Sequence, residues 1–183
     1  MEIVMATANK HKLIEGNFVL KDFGIVLVGQ DLKGDEIQSM DPTAVAKASL
    51  ESALPKLGRP LIVEDTGLFI RSLNGFPGAL ASHVFETLGT KGILKLLEGV
   101  EDRTAYFDAA VAYGLPPDRV WVFTGRAHGK ISKDAAGEGG FGFDPIFVPD
   151  GQDRTFAQMT MEEKSKTSHR ALAFRRLGAW VTR

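Results

Sequence analysis

Apolar and polar positions alternate over residues 1–7, with β-branched side chains among them, which predicts an opening strand. A helix over about 9–23 follows, with Leu13, Val19, Leu20 and Phe23 on its buried face and Gly24 as its stop. A short strand is predicted at 25–28. Asp41-Pro42 reads as an N-cap and first helical residue, opening a helix whose Val45, Leu50, Ala53, Leu54 and Leu57 form an apolar stripe that ends near 55–58. The run 61–64 is a buried strand that breaks into a loop at Asp65. A shorter helix over 89–97 turns Ile93, Leu94 and Leu97 inward. Two long strand patterns, 103–113 and 119–131, are joined by Gly114-Leu115-Pro116-Pro117-Asp118 and predict an antiparallel hairpin. Thr160-Met161-Glu162-Glu163 is a capping box, and Ser168 caps a last helix that carries Leu172, Leu177 and Trp180. This order of elements predicts a mixed α/β fold, and with no repeat or linker the whole chain, 1–183, reads as a single domain.

Charge narrows the range of partners. A formal net charge of −1 and a pI near 6.4 give no general attraction to nucleic acid or to an anionic membrane. A phosphate ligand would have to be held by a few local cations. That favours a small phosphorylated substrate. The absence of cysteine removes thiolate nucleophiles, disulfides and Cys-based metal sites, and the 4 histidines, His11, His83, His128 and His169, are too scattered for a zinc motif. No apolar run approaches the roughly 18 residues that span a bilayer, and Met1-Glu2-Ile3 does not open a signal sequence. A cytoplasmic location is expected.

Four segments place chemistry at the ends of elements. In Glu64-Asp65-Thr66-Gly67 two carboxylates end an apolar strand, a setting suited to divalent metal binding and water activation, although an acidic pair after a strand is also a common solvated turn. Thr7-Ala8-Asn9-Lys10-His11-Lys12 lies where a strand passes into a helix, so backbone N–H groups and a lysine could hold phosphates; an Asn-started helix with solvated lysines is the alternative. Gly139-Gly140-Phe141-Gly142-Phe143-Asp144-Pro145 frees Phe141 to stack on a flat base, while Phe143 could equally be a core anchor. Lys164 and Ser168-His169-Arg170 set donors around a helix start, which alone would read as solvated surface.

Taken together and in this order, T-x-N-x-x-K, E-D-T-G, F-G-F-D-P and E-K-x-x-x-S-H-R resemble the signature segments of the inosine triphosphate pyrophosphatase family, which hydrolyses non-standard purine nucleoside triphosphates. The resemblance spans nearly the whole chain. It implies an elongated mixed sheet flanked by helices, with two lobes around a central cleft, and a homodimer. It also implies Mg²⁺-dependent conversion of ITP, dITP or XTP to the monophosphate and pyrophosphate. In that reading Asp65 is the general base and a metal ligand, with Glu36 in Glu36-Ile37-Gln38 and Glu64 as further candidate ligands. Lys12 and the first loop (Thr7, Ala8, Asn9, Lys10, His11) hold phosphates. Thr66, Phe141, Gly142, Phe143, Asp144, Lys164, His169 and Arg170 form the rest of the substrate site, the last three offering donors to a 6-oxo purine, and Phe76-Pro77-Gly78 with Ser82 serves as scaffold. Two rival readings remain, a hydrolase of pyrimidine or other modified triphosphates and a non-catalytic nucleotide- or RNA-binding module.

Overall fold

The computed structural model describes residues 1–32, 34–35 and 37–183. Glu36, which the resemblance implied as a candidate metal ligand, lies outside the described residues. Strand β1 (Glu2–Ala6) leads to helix α1 (Lys10–Leu20), a 3₁₀ turn at Lys21–Phe23, strand β2 (Val26–Gln30) and helix α2 (Pro42–Leu57). Strand β3 (Leu61–Ile70) and the two-residue β4 (Pro77–Gly78) precede helix α3 (Ala81–Leu96). The hairpin β5 (Thr104–Leu115) and β6 (Arg119–Ile131) comes next, followed by β7 (Phe147–Pro149), α4 (Met161–Thr167) and α5 (His169–Val181).

The described strands form one mixed sheet in the order β2-β1-β3-β5-β6-β7, with β4 added to β3. β1 runs parallel to β2 and β3, and the remaining pairs are antiparallel. Helices α1 and α5 cover one face, burying Ile3, Met5, Val19, Ile62, Val111, Phe174 and Leu177. α2 covers the other face, where Val4, Leu50, Leu54, Val63, Ala110 and Ala112 meet. Leu68, Ile70, Ile93, Phe107, Phe147 and Phe156 form a separate core toward the far end of the sheet. Each of these large side chains gains about 1.5 to 3 kcal/mol from full burial, so apolar packing fixes which face of each strand is which.

Local signals read from the sequence hold at several helix ends. Asp41 accepts from the Thr43 amide with Pro42 behind it, Thr160 and Glu163 form a reciprocal capping box, and Ser168 accepts from the Ala171 amide. Gly24, at φ 66°, ends the turn after α1, as the left-handed region allows.

Two expectations change. The strand predicted at 61–64 does not break at Asp65 but continues to Ile70, because β5 pairs with it at every position from Leu61↔Gly114 to Ile70↔Ala105. Long-range pairing overrides the local loop signal of Asp65-Thr66-Gly67. Gly67 is needed there for close approach, since a Cβ would lie 2.7 Å from the Phe69 ring and 2.9 Å from the Gly78 backbone. The helix expected at 89–97 starts earlier, at Ala81, and is interrupted at Gly89 (φ 63°, ψ −171°). Its first half gave little signal: Leu80 offers no side-chain cap, and Phe85 and Leu88 are exposed, so no clean apolar stripe marks it.

The topology opens a gap in the sheet. β1 pairs with β3 only at Val4↔Leu61 and Met5↔Ile62, and β4 joins the same edge of β3 at Leu68↔Gly78. Between these contacts the edge of β3 has no strand neighbour among the described residues, and the start of α1 stands opposite it. This is the crevice beyond the carboxyl end of a parallel strand, a favoured ligand position in α/β sheets.

Candidate active site

A cavity of about 300 Å³ lies at this gap, lined by residues that include Asn9, Lys12, Asp65, Thr66, Ser82, Phe85, Phe141, Gly142, Phe143, Asp144, His169 and Arg170. At one end is the start of α1. The Asn9 Oδ1 accepts from the amides of His11 (3.0 Å) and Lys12 (3.3 Å), and Asn9 itself donates its amide to Thr7 Oγ1 (3.0 Å). This fixes the first turn and aims Lys12 across the gap, where its Nζ donates to the Glu64 carbonyl (3.0 Å) and pairs with Glu64 Oε2 (2.9 Å). Ala8 and Lys10 are exposed and do not line the cavity.

The adjacent acids of β3 separate by strand alternation. Glu64 stands opposite Val111, on the face covered by α1 and α5, whereas Asp65 stands opposite Ala110, on the α2 face. Glu64 is buried. Its Oε1 accepts from Arg170 Nε (3.0 Å) and from the Thr66 hydroxyl (2.5 Å), so with Lys12 on Oε2 both of its oxygens are engaged. Burial alone would raise its pKa, but Arg170 and Lys12 outweigh that, with help from the Thr66 hydroxyl, and bring it down to about 2. Asp65 is half-buried at the cavity wall.

The other end of the cavity is a buried ion cluster. Arg170 donates to Glu15 Oε2 (2.6 Å), to Glu64 and to Thr66 Oγ1 (3.1 Å); Lys164 donates to Glu15 Oε1 (2.7 Å) and to Asp144 Oδ2 (2.6 Å). Burial works against the Glu15 carboxylate, yet Arg170 and Lys164 hold its pKa below the usual range. Asp144 goes the other way: burial, reinforced by Glu15, pushes it up in spite of Lys164. Burial also opposes the charge on Arg170, but Glu64 and Glu15 hold its pKa above the usual value. His169 is pushed well below 6.5 by burial and then by Arg170, Lys164 and Lys12, so it is neutral at physiological pH. Its ring stacks on Phe107 at 4.5 Å, and its Nδ1 makes no hydrogen bond among the described residues.

The glycine-rich segment presents its aromatic over these ions. Asp144 Oδ2 accepts from the Phe141 amide (2.9 Å), and Gly140 at φ 67° must be glycine because a Cβ would lie 2.1 Å from that same carboxylate oxygen. The Arg170 guanidinium carbon stands 5.0 Å from the Phe141 ring centroid. Phe143 is a core residue, 3% exposed and edge-on to Phe85.

Residues 3–180 match the model of the Ham1 family. The chain belongs to the Ham1 family. The dITP/XTP pyrophosphatase of Methanopyrus kandleri is 46% identical over 180 residues, covering 98% of this chain and 96% of that protein. The dITP/XTP pyrophosphatase of Pyrobaculum aerophilum is 45% identical over 182 residues, covering 100% of this chain and 97% of that protein. The Ham1 fold is shared with a HAM1 protein from Coxiella burnetii at a TM-score of 0.86, 29% identity and coverage of 100% and 98% of the two chains. Within this Ham1 chain Asn9, Lys12, Asp65, Thr66, Phe141, Gly142, Phe143, Asp144, His169 and Arg170 line one cavity, Glu64 and Lys164 belong to the ion cluster behind it, and Thr7, Ala8, Lys10 and His11 are not among its lining residues. Glu15 was missed. Its one sequence signal is the spacing Lys12-x-x-Glu15, which puts both residues on one side of a helix. Ser82, which the resemblance implied as scaffold, lines the cavity, and so do Phe85 and Glu86 of α3, which no sequence motif marked.

Proposed function

We propose that the chain hydrolyses non-standard purine nucleoside triphosphates, with dITP, ITP and XTP as the substrate class, to the monophosphate and pyrophosphate, and so clears them from a nucleotide pool. The observation that carries this reading is the division of one cavity into a carboxylate-and-lysine end, Asp65 with Lys12, and an aromatic-and-cation end, Phe141 with Arg170. A triphosphate fits the first and a flat base the second. The names of the Methanopyrus and Pyrobaculum relatives support it.

Mg²⁺ prefers oxygen ligands and keeps several waters and substrate phosphates, so it does not need a cage of protein groups. No group of three or more metal-ligating side chains occurs among the described residues, but the Asp65 carboxylate at the cavity wall meets the smaller requirement. Glu64, with both oxygens engaged by cations and a hydroxyl, fits that role poorly. Bound there, Mg²⁺ would polarise a phosphate and lower the pKa of a water. Asp65 accepts the proton of the attacking water, and Lys12 stabilises charge gathering on the departing pyrophosphate.

Base selection falls to the ion cluster. Arg170 has five N–H donors, of which Nε, one on NH1 and one on NH2 are engaged by Glu64, Glu15 and Thr66. The remaining donors, with the third proton of Lys164, meet a 6-oxo acceptor, whereas a 6-amino group would set donor against donor and is rejected. A homodimer in the cytoplasm completes the proposal.

The test is pyrophosphate release over a panel of nucleoside triphosphates with Mg²⁺, together with molar mass in solution. Turnover of ITP, dITP and XTP well above ATP is expected. Preference for a pyrimidine triphosphate, or tight binding without product, would replace this reading with one of its rivals.

A further inference from the structure

We infer that His11 is a positioning residue for base recognition, its imidazole backing the Phe141 ring and tying the base platform to the first turn of α1. The inference rests on the reading that Phe141 carries the base. The two rings stack with centroids 5.0 Å apart and planes 17° from parallel. A base cannot enter between them, since two further layers of contact need about 7 Å between the rings. The ring face against His11 is thus covered, and His11 supports the platform without touching the substrate; Arg170 and Lys164 stand 5.0 and 5.6 Å from the centroid of the same ring, so a base meets the platform together with these cations. His11 is exposed and is not among the residues lining the cavity, which fits support better than contact.

Phe141 needs such a support. It sits between Gly140 at φ 67° and Gly142 at φ 60°, both in the left-handed region, and a glycine-flanked segment has more accessible conformations than its neighbours. Asp144 fixes the Phe141 amide, but that bond leaves the ring's rotamer open. His11, in contrast, stands on helical backbone in the first turn of α1, whose start Asn9 caps. The same helical turn sends Lys12 to Glu64 and His11 to Phe141. Adjacent residues thus link the phosphate end to the base end, beside the Lys12–Glu64–Arg170 chain of ion pairs.

The experiment compares His11→Ala and His11→Phe with the parent enzyme in ITP hydrolysis. It adds equilibrium binding of inosine monophosphate and inhibition by inorganic tripolyphosphate, which has phosphates and no base. An aromatic stack is worth enough to predict a KM for ITP raised about two- to tenfold in His11→Ala, with kcat within about twofold. His11→Phe should restore KM, and tripolyphosphate inhibition should be the same in all three proteins. A lowered KM in His11→Ala would show that the imidazole blocks the platform. Weaker tripolyphosphate inhibition, not restored by Phe, would make His11 a phosphate ligand, and an unchanged KM would leave it no role; each of these overturns the inference. If the parent releases no pyrophosphate yet binds inosine monophosphate, the function proposed above fails while the binding series still tests His11. If the parent binds no purine nucleotide, both fall.

Discussion

Glu64 is buried among Lys12, Arg170 and Thr66, while its neighbour Asp65 is half-buried on the opposite face of β3, at the cavity wall. One carboxylate is committed to holding cations in place and the other keeps an aspect toward ligand. A single strand can thus place consecutive acids in two different settings, because alternation sends them to different faces and the gap beside β3 brings both faces to one cavity. An acid that anchors buried cations should matter to stability at every step, and an acid at the wall mainly to turnover.

The comparison is broken most directly at Asp65. Asp65→Asn should lower kcat for ITP by about 10²- to 10⁴-fold, as loss of a general base does, with the thermal midpoint nearly unchanged. Near-parental turnover in this variant would falsify the assignment.

Glu64→Gln should show the reverse balance. Removing one member of a buried ion cluster leaves Arg170 and Lys12 undercompensated, a loss of about 3 to 5 kcal/mol of folding stability. Denaturant unfolding measures it. Acid sharpens the point: Glu64 has its pKa brought down from 4.5 to about 2, so its contribution is complete above pH 4.5 and is lost as pH falls toward 2. Asp144, with its pKa raised by burial, has the opposite sign and favours the folded state at low pH. The Gln variant should therefore lose the acid-dependent decline that Glu64 causes, and a parent-like decline would mean that the carboxylate is not the group responsible.

Lys12 belongs to both regions, bridging the start of α1 to Glu64 and facing the cavity. Lys12→Ala should worsen both KM and kcat, by about 10- to 150-fold in kcat/KM if a charged hydrogen bond worth roughly 1.5 to 3 kcal/mol is lost. Unchanged kinetics with a lower thermal midpoint would assign it wholly to the structural side.

The smallest effect is expected at His169. Burial and the nearby cations keep it neutral in the fold, so the unfolded chain binds a proton first as pH drops below 6.5, and stability declines from there. One proton changes the slope by at most about 1.4 kcal/mol per pH unit. His169→Gln should flatten the thermal midpoint between pH 6.5 and pH 5, and an equal slope in both proteins would count against a neutral His169.

Much of the fold was legible locally. Caps such as Asp41-Pro42, Thr160 with Glu163, and Ser168 act over three or four residues, and the hairpin at 103–131 carries its own turn, so both are written into short stretches of sequence. The motif residues Lys12, Asp65, Phe141, Lys164, His169 and Arg170 could be picked out by type and order. Their geometry could not. That β3 runs on through Asp65 depends on pairing with β5, about forty residues later in the chain, and that Glu64 and Asp65 take opposite faces follows from that register. Glu15 became part of the cluster only when α1 was packed beside α5, 155 residues away at Arg170, because the energy of a buried carboxylate is set by the cations that tertiary packing places around it. Sequence determined which groups were available and where helices begin; the tertiary structure decided which charges are buried together, since desolvation and Coulomb attraction depend on distance in space and not along the chain.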